Sequence, residues 1–185
     1  MDKKRCFWVD LKSPIYIKYH DEEWGVPKYD DRYLFELLIL ESFQAGLSWL
    51  TVLKKREAFR LAFDNFDVQK IANYNDKKVY ELLQNPAIIR SKNKILASIN
   101  NAKIFIKIQK EYGSFSNYIW GFTENKIITN TTGELIVSSP LSDKISKNLK
   151  KRGMKYVGTI IIYSYLQAIG IINDHDKNCY KFNTN

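Results

Sequence analysis

The chain has 185 residues, 45% of them hydrophobic and 14% aromatic, with 29 Lys and Arg against 20 Asp and Glu for a net charge of +9. That is enough sequence to bury one core, as a single domain over residues 1–185 or two helical lobes within it, and too little Cys for a disulfide framework. No apolar run approaches the roughly 20 residues that cross a bilayer, and Met1 to Cys6 leads into no apolar signal segment, so the expectation is a cytoplasmic protein with no membrane partner. The positive balance favours an acidic partner such as nucleic acid, although a lysine-rich solvated surface would give the same count.

With 8 Gly and 4 Pro between long helix-period segments, the fold class is all-α. The first 27 residues, rich in aromatics, read as an arm over the core. Asp30 or Asp31 caps a helix running to about Phe43, with Leu34, Leu37, Leu38 and Glu41 on one stripe. After a Gly46 turn, Ser48 caps a helix reaching about Phe63. Asp67 and Asn75 cap two short helices, the second ended by Asn85-Pro86. A tight link, Ala87 to Arg90, leads into a long helix from about Ser91 to Tyr112, and the pair forms a helical hairpin. Ser114 caps another short helix. Helical period is lost from Thr123 to Pro140, a loop with short extended pieces. Ser142 opens a basic helix closed by Gly153, and Thr159 opens a helix, apolar nearly all round, that is expected at the centre of the core.

Two groups of residues carry chemistry. Cys6 and His20 near one end, with His175 and Cys179 near the other, match a tetrahedral zinc set; two inert thiols and two incidental imidazoles are the alternative. The four-residue spacing of His175 and Cys179 suits one helical turn. Four protein ligands leave no open coordination position, so such an ion is structural and clips the termini together. Glu41 sits where the helix stripe calls for leucine, and a buried carboxylate is either paired with a cation or held for a ligand. Gly46 turns the chain so that Leu47 and Trp49 lie beside it, and Tyr19, Trp8 and Trp24 are further candidates for a flat cage. An acid among aromatics suits a flat, electron-poor or cationic ligand. At the hairpin, backbone N–H groups with Arg90, Lys92 or Lys94 can meet a phosphate at a helix N-terminus.

The sequence resembles the type I 3-methyladenine DNA glycosylases of the helix-hairpin-helix superfamily. The likeness runs from Cys6 to Cys179. It rests on Tyr-His-Asp-Glu-Glu-Trp-Gly-Val-Pro at 19–27, Leu-Glu-Ser-Phe-Gln-Ala-Gly-Leu-Ser-Trp at 40–49, Ile-Ile-Arg at 88–90, Lys-Arg-Gly-Met-Lys-Tyr-Val-Gly-Thr at 151–159 and Asn-Asp-His at 173–175. The resemblance implies a helix-hairpin-helix fold whose N- and C-terminal segments are clipped by one structural zinc on Cys6, His20, His175 and Cys179. It implies that Glu41 and Tyr19 contact the excised base as catalytic residues, that Trp49 stacks on it, and that Trp8 and Trp24 wall the pocket. Gly46 and Leu47 resemble a wedge that fills the gap left by a flipped base, and Arg90 belongs to the DNA-binding hairpin, where Ala87 stands in place of the glycine usual in such turns.

The implied activity is that of a monofunctional glycosylase. It hydrolyses the N-glycosidic bond of 3-methyladenine in double-stranded DNA, releases the free base and acts as a monomer. The alternative is a non-catalytic, zinc-stabilised DNA-binding module. A zinc base deaminase is disfavoured because the chain lacks the His-x-Glu and Pro-Cys-x-x-Cys pattern of that class.

Overall fold

The computed structural model describes residues 3–182; residues 1–2 and 183–185, the ends of the expected 1–185 domain, lie outside the described residues. The described residues are mostly helical, with very little sheet. In order they form α1 (Pro14–Glu22), α2 (Asp31–Gln44), α3 (Trp49–Lys54), α4 (Arg56–Ala62), a 3₁₀ turn (Asp64–Phe66), α5 (Val68–Ala72), α6 (Asp76–Gln84), α7 (Lys92–Tyr112) and α8 (Phe115–Gly121). After these come β1 (Ile128–Thr129), α9 (Pro140–Lys151), α10 (Thr159–Ala168) and β2 (Ile172–Asn173). The two-residue strands pair in parallel, Ile128 with Ile172 and Thr129 with Asn173, and are the one departure from an all-α architecture among the described residues. No helix there is long and apolar enough to cross a membrane.

Helix α2 is the axis of the core. Asp30 caps it by accepting from Tyr33 N at 2.8 Å, and every residue from Leu34 to Phe43 is buried. Its neighbour Asp31 does a second job. The Asp31 carboxylate accepts from Phe115 N and Ser116 N, each at 2.8 Å, and from Gln109 Nε2 at 2.7 Å, which fastens the start of α8 to the start of α2. Burying each large apolar side chain stabilises by about 1.5–3 kcal/mol, so the run of leucines and phenylalanines makes α2 a firm frame on which to mount a site.

Most expected boundaries hold, including the caps at Ser48, Asp67, Asn75 and Ser114. Four expectations are corrected. The N-terminal arm contains α1, opened by Ser13 with Pro14 at the first helical position, where a missing N–H costs nothing. The helix after Ser48 breaks at Lys55 into α3 and α4, and the Lys55 ammonium reaches across to another segment. The basic helix starts at Pro140, because Ser139 is the cap and Ser142 answers it from the third position in a reciprocal capping box. Finally, α10 is packed against α2 and α9 but is not the central helix: Ile160 in its first turn is 59% exposed.

Candidate functional site

The stripe that carries Leu34, Leu37 and Leu38 inward also carries Glu41 to the inner wall of a cavity of about 370 Å³, within the range of small-molecule sites. Trp49, Tyr19, Trp8 and Trp24 line the same cavity, so the acid and all four expected aromatics are brought together. Gly46 makes this possible. Its φ of +83° belongs to the left-handed region that glycine enters freely, and the turn it forms after α2 returns the chain so that Ser48 can cap α3 and set Trp49 at its start.

The electrostatics of Glu41 are those of an acid without a partner. It is 3% exposed, its Oε2 has no hydrogen-bond partner, and burial pushes its pKa up to about 8. Trp49 Nε1 is likewise buried with no partner. An orphaned acceptor and an orphaned donor thus lie on residues of one cavity, a cost that a ligand with complementary edges would relieve. Tyr19 stands 5.4 Å from Trp49, ring to ring, and burial first, then the Glu41 charge, holds its phenol well above the usual value. An empty pocket therefore favours a neutral Glu41. A cationic ring stacked on Trp49 would restore its charge.

A relay of rings leads from this pocket to the second cluster. Trp8 touches Tyr16 at 5.1 Å and Trp24 at 4.9 Å, and Trp24 meets the His175 ring at 4.6 Å. Gly25 permits the last contact, since a Cβ there would lie 2.6 Å from His175 Cε1. The candidate ligand atoms of Cys6, His20, His175 and Cys179 all lie within 4.8 Å of one another, and all four residues are buried. Edges of about 3.3–3.8 Å are expected around a tetrahedral zinc from its usual bond lengths, and the His20 Nε2 to Cys179 Sγ distance is already 3.4 Å.

The donor set fits a metal on a further observation. His175 Nε2 is buried with no partner, while its Nδ1 is held by Asn173 Oδ1 at 2.9 Å; His20 Nδ1 is held by Asp21 Oδ1 at 2.8 Å, which leaves its Nε2 facing Cys179. Such outer partners fix the tautomer and aim the other nitrogen at an ion. Burial lowers both imidazoles, His175 to about 3, which keeps them in the neutral, ligating form, and burial raises the Cys6 thiol. His175 and Cys179 do not share a helical turn as their spacing suggests. They lie in a non-helical loop, closed by Cys179 N donating to Asp176 O at 2.7 Å.

The expected DNA-contacting residues stand apart from the cavity lining. Leu47, in the turn between Gln44 and Trp49, is 41% exposed, and Arg90 is exposed in the link before α7. Ser91 leaves the first N–H groups of α7 without a side-chain cap, but Ala87 N is already committed to Asn85 Oδ1 at 2.9 Å. The sequence reading missed Tyr16 and Gln44, which also line the cavity. Both had a signal: Tyr16 precedes Tyr19 by three residues on α1, and Gln44 follows Glu41 by three on α2. It also missed Asn130, Tyr163, Gln167 and Asp174, a polar wall in which Asp174 accepts from Asn130 Nδ2 at 2.6 Å, Gln167 Nε2 at 2.5 Å and Tyr163 OH at 3.1 Å.

Comparison with known proteins places this geometry. Residues 8–182 match the family described as Methyladenine glycosylase. DNA-3-methyladenine glycosylase 1 of Escherichia coli (strain K12) is 45% identical over 179 residues, covering 95% of each chain. A crystal structure of a 3-methyladenine DNA glycosylase I superposes with a TM-score of 0.92 at 47% identity, over 96% of this chain and 98% of that one. A variant of a 3-methyladenine DNA glycosylase I, solved in complex with 3-methyladenine, superposes with a TM-score of 0.89 at 37% identity, over 93% and 94% of the two chains.

Proposed function

This chain belongs to the methyladenine glycosylase family, and we propose that it reads 3-methyladenine through Glu41, Tyr19 and Trp49 after the damaged nucleotide has turned out of the duplex. It is a DNA-3-methyladenine glycosylase: its substrate is alkylated DNA and its product the free base. The observation that carries the residue assignment is the buried, unpartnered Glu41 oxygen on a cavity walled by aromatic rings.

Methylation at N3 gives the purine a positive charge and weakens its bond to the sugar. The reaction breaks the C1′–N9 bond, whose electron pair leaves with the base and neutralises it; water supplies the oxygen that bonds to C1′ and loses its proton to solvent. The enzyme's task is then selection and placement. Trp49 offers a π face to the cationic ring, and ionised Glu41 accepts hydrogen bonds from the base edge, so neutral purines gain less from the same pocket. Among the described residues no lysine lines the cavity, which supports a monofunctional glycosylase with water as nucleophile rather than a Schiff-base enzyme. Gly46 and Leu47 fill the vacated stack, and Arg90 with the uncapped start of α7 meets the backbone of a helix-hairpin-helix contact.

Cys6, His20, His175 and Cys179 would hold one zinc ion, which supplies no step of the reaction. Held there, it would fasten the loop of Cys6 and the C-terminal loop to His20 on α1, while Trp24, against His175, and Trp8, against Trp24, form the outer wall of the pocket. All four candidate ligands come from one chain, which suits a protein acting as a monomer, and the DNA substrate favours a cytoplasmic site of action.

The deciding experiment is base release from methylated duplex DNA with the product identified. Free 3-methyladenine with matching abasic sites is expected; salt-dependent DNA binding with no base released would overturn the reading in favour of a binding module. For the metal, elemental analysis should find one zinc per chain, and its removal should lower the unfolding midpoint and activity together. Lost activity in an unchanged fold would instead make the ion catalytic.

A further inference from the structure

The geometry points to a reciprocal lysine brace, Lys94 with Lys55, that couples the turn bearing Leu47 to the hairpin link before α7, so that a hairpin seated on the DNA backbone fixes where the wedge enters the stack. This rests on the reading of Gly46–Leu47 as wedge and of residues 87–91 as backbone contact. Lys94, in the first turn of α7, is half-buried and extends its ammonium to the end of α2, donating to Phe43 O at 2.9 Å and Ala45 O at 2.7 Å. Lys55, at the junction of α3 and α4, extends in the opposite sense, donating to Pro86 O at 3.2 Å and Ala87 O at 2.9 Å. Each ammonium thus holds carbonyls at the turn that leads to or from the other lysine's own element.

Both ends are places where backbone carbonyls need such donors. The last carbonyls of a helix have no intrahelical partner, and a cation at that terminus also meets the negative end of the helix dipole. Lys94 supplies both at the point where α2 hands over to the Gly46 turn, in which Leu47 N donates to Gln44 O at 2.7 Å and the lysine takes the carbonyls of Phe43 and Ala45 on either side. Asn85 and Pro86 end α6 and leave carbonyls in an open link, where Lys55 serves in the same way. Lys54, Arg90 and Lys92, the neighbouring cations, are exposed and free to face phosphate, whereas Lys55 and Lys94 are spent on the protein. They are positioning residues.

That division is measurable. A cation that meets a phosphate adds about 0.9 to the slope of log K against log salt; a brace adds nothing. The full-length protein with Lys94→Gln, Lys55→Gln or both is compared with wild type, with Lys94→Arg and Leu47→Ala alongside, all at one temperature well below every variant's unfolding midpoint. Three quantities are read: the salt slope of duplex binding, affinity for free 3-methyladenine, and single-turnover excision from a duplex at saturating protein. The expected result is an unchanged slope and free-base affinity. Excision should fall about ten- to hundredfold, with partial recovery in Lys94→Arg and a double variant scarcely worse than either single one.

A slope reduced by about one per substitution with excision intact at saturation would make the lysines phosphate contacts and overturn the brace. Free-base affinity falling in parallel with excision would also overturn it, because the turn would then be supporting the pocket. Leu47→Ala separates the brace from its premise. If that variant excises normally the wedge reading itself fails, and if it is impaired while the lysine variants are not, the brace alone fails.

Discussion

Helix α2 carries two buried glutamates five residues apart, and they have opposite lives. Glu36, 6% exposed, accepts from Arg56 Nε at 2.5 Å and Arg60 Nε at 3.0 Å, and Arg56 goes on to Glu23, which also takes the Tyr33 hydroxyl at 2.6 Å. Glu41, 3% exposed, has a carboxylate oxygen with no partner at all. Burial alone therefore does not mark a functional acid. What separates the two is the supply of cations. Around Glu36 the chain provides guanidinium groups, and the acid is part of the frame, although the buried Arg56 Nη2 has no partner. Around Glu41 it provides aromatic faces and a cavity, so the missing cation must arrive with the ligand.

The largest effect expected from breaking this contrast is on stability. Glu36→Ala leaves two arginines, one of them buried, without their shared carboxylate, and removing one partner of a buried pair costs about 3–5 kcal/mol. A urea midpoint shifted by that amount, with excision per folded molecule close to wild type, is the expected outcome. A small shift would mean that Glu23 alone satisfies Arg56.

Glu41→Gln should do the reverse, with stability maintained or improved and function lost. Hydrogen bonds to a charged acceptor aimed at a charged ligand are lost, and an excision rate about 10²–10³ lower matches the removal of one such preorganised group. The pH dependence sharpens the test. The folded pKa of about 8 lies above the ordinary carboxylate value of 4.5, so folding favours the protonated form. The resulting stability is fully present below pH 4.5 and is lost as pH rises through about 8; wild type should lose ground against Glu41→Gln over that window, by at most about 5 kcal/mol. A cationic lesion selects the ionised acid, so its binding should strengthen with pH up to about 8 in wild type and stay flat in the variant. Equal base release and equal affinity for 3-methyladenine in the two proteins would remove Glu41 from the site.

Much of this contrast was readable before any coordinates. Glu41 announces itself because it interrupts a leucine stripe at helical spacing, and the capping residues Asp30, Ser48, Asn75 and Ser114 mark helix starts by local chemistry alone. Cys6, His20, His175 and Cys179 are legible because no other Cys or His exists to compete. The sequence does not say that Glu36 has cations and Glu41 has none, since Arg56 lies 20 residues on and is delivered by the break at Lys55. The wall of Asn130, Tyr163, Gln167 and Asp174 is similarly hidden. It is assembled by α10 and the loops flanking the β1–β2 pair, contacts between distant segments that leave no periodic trace.

The smallest effect separates the ligand-facing end of α2 from its framed end at the level of backbone. Gly46 has φ of +83° but an open surrounding, so Gly46→Ala meets no clash and pays only the left-handed penalty of about 1 kcal/mol. If the turn relaxes to lower that cost, Leu47 moves while Glu41, a full turn back inside the helix, does not. The expected signature is a modest loss of excision from duplex DNA, a few-fold at most, with free 3-methyladenine bound as well as by wild type. A parallel loss of free-base affinity would show that strain at the turn travels back into the pocket, and that the two ends of α2 are less independent than their two glutamates suggest.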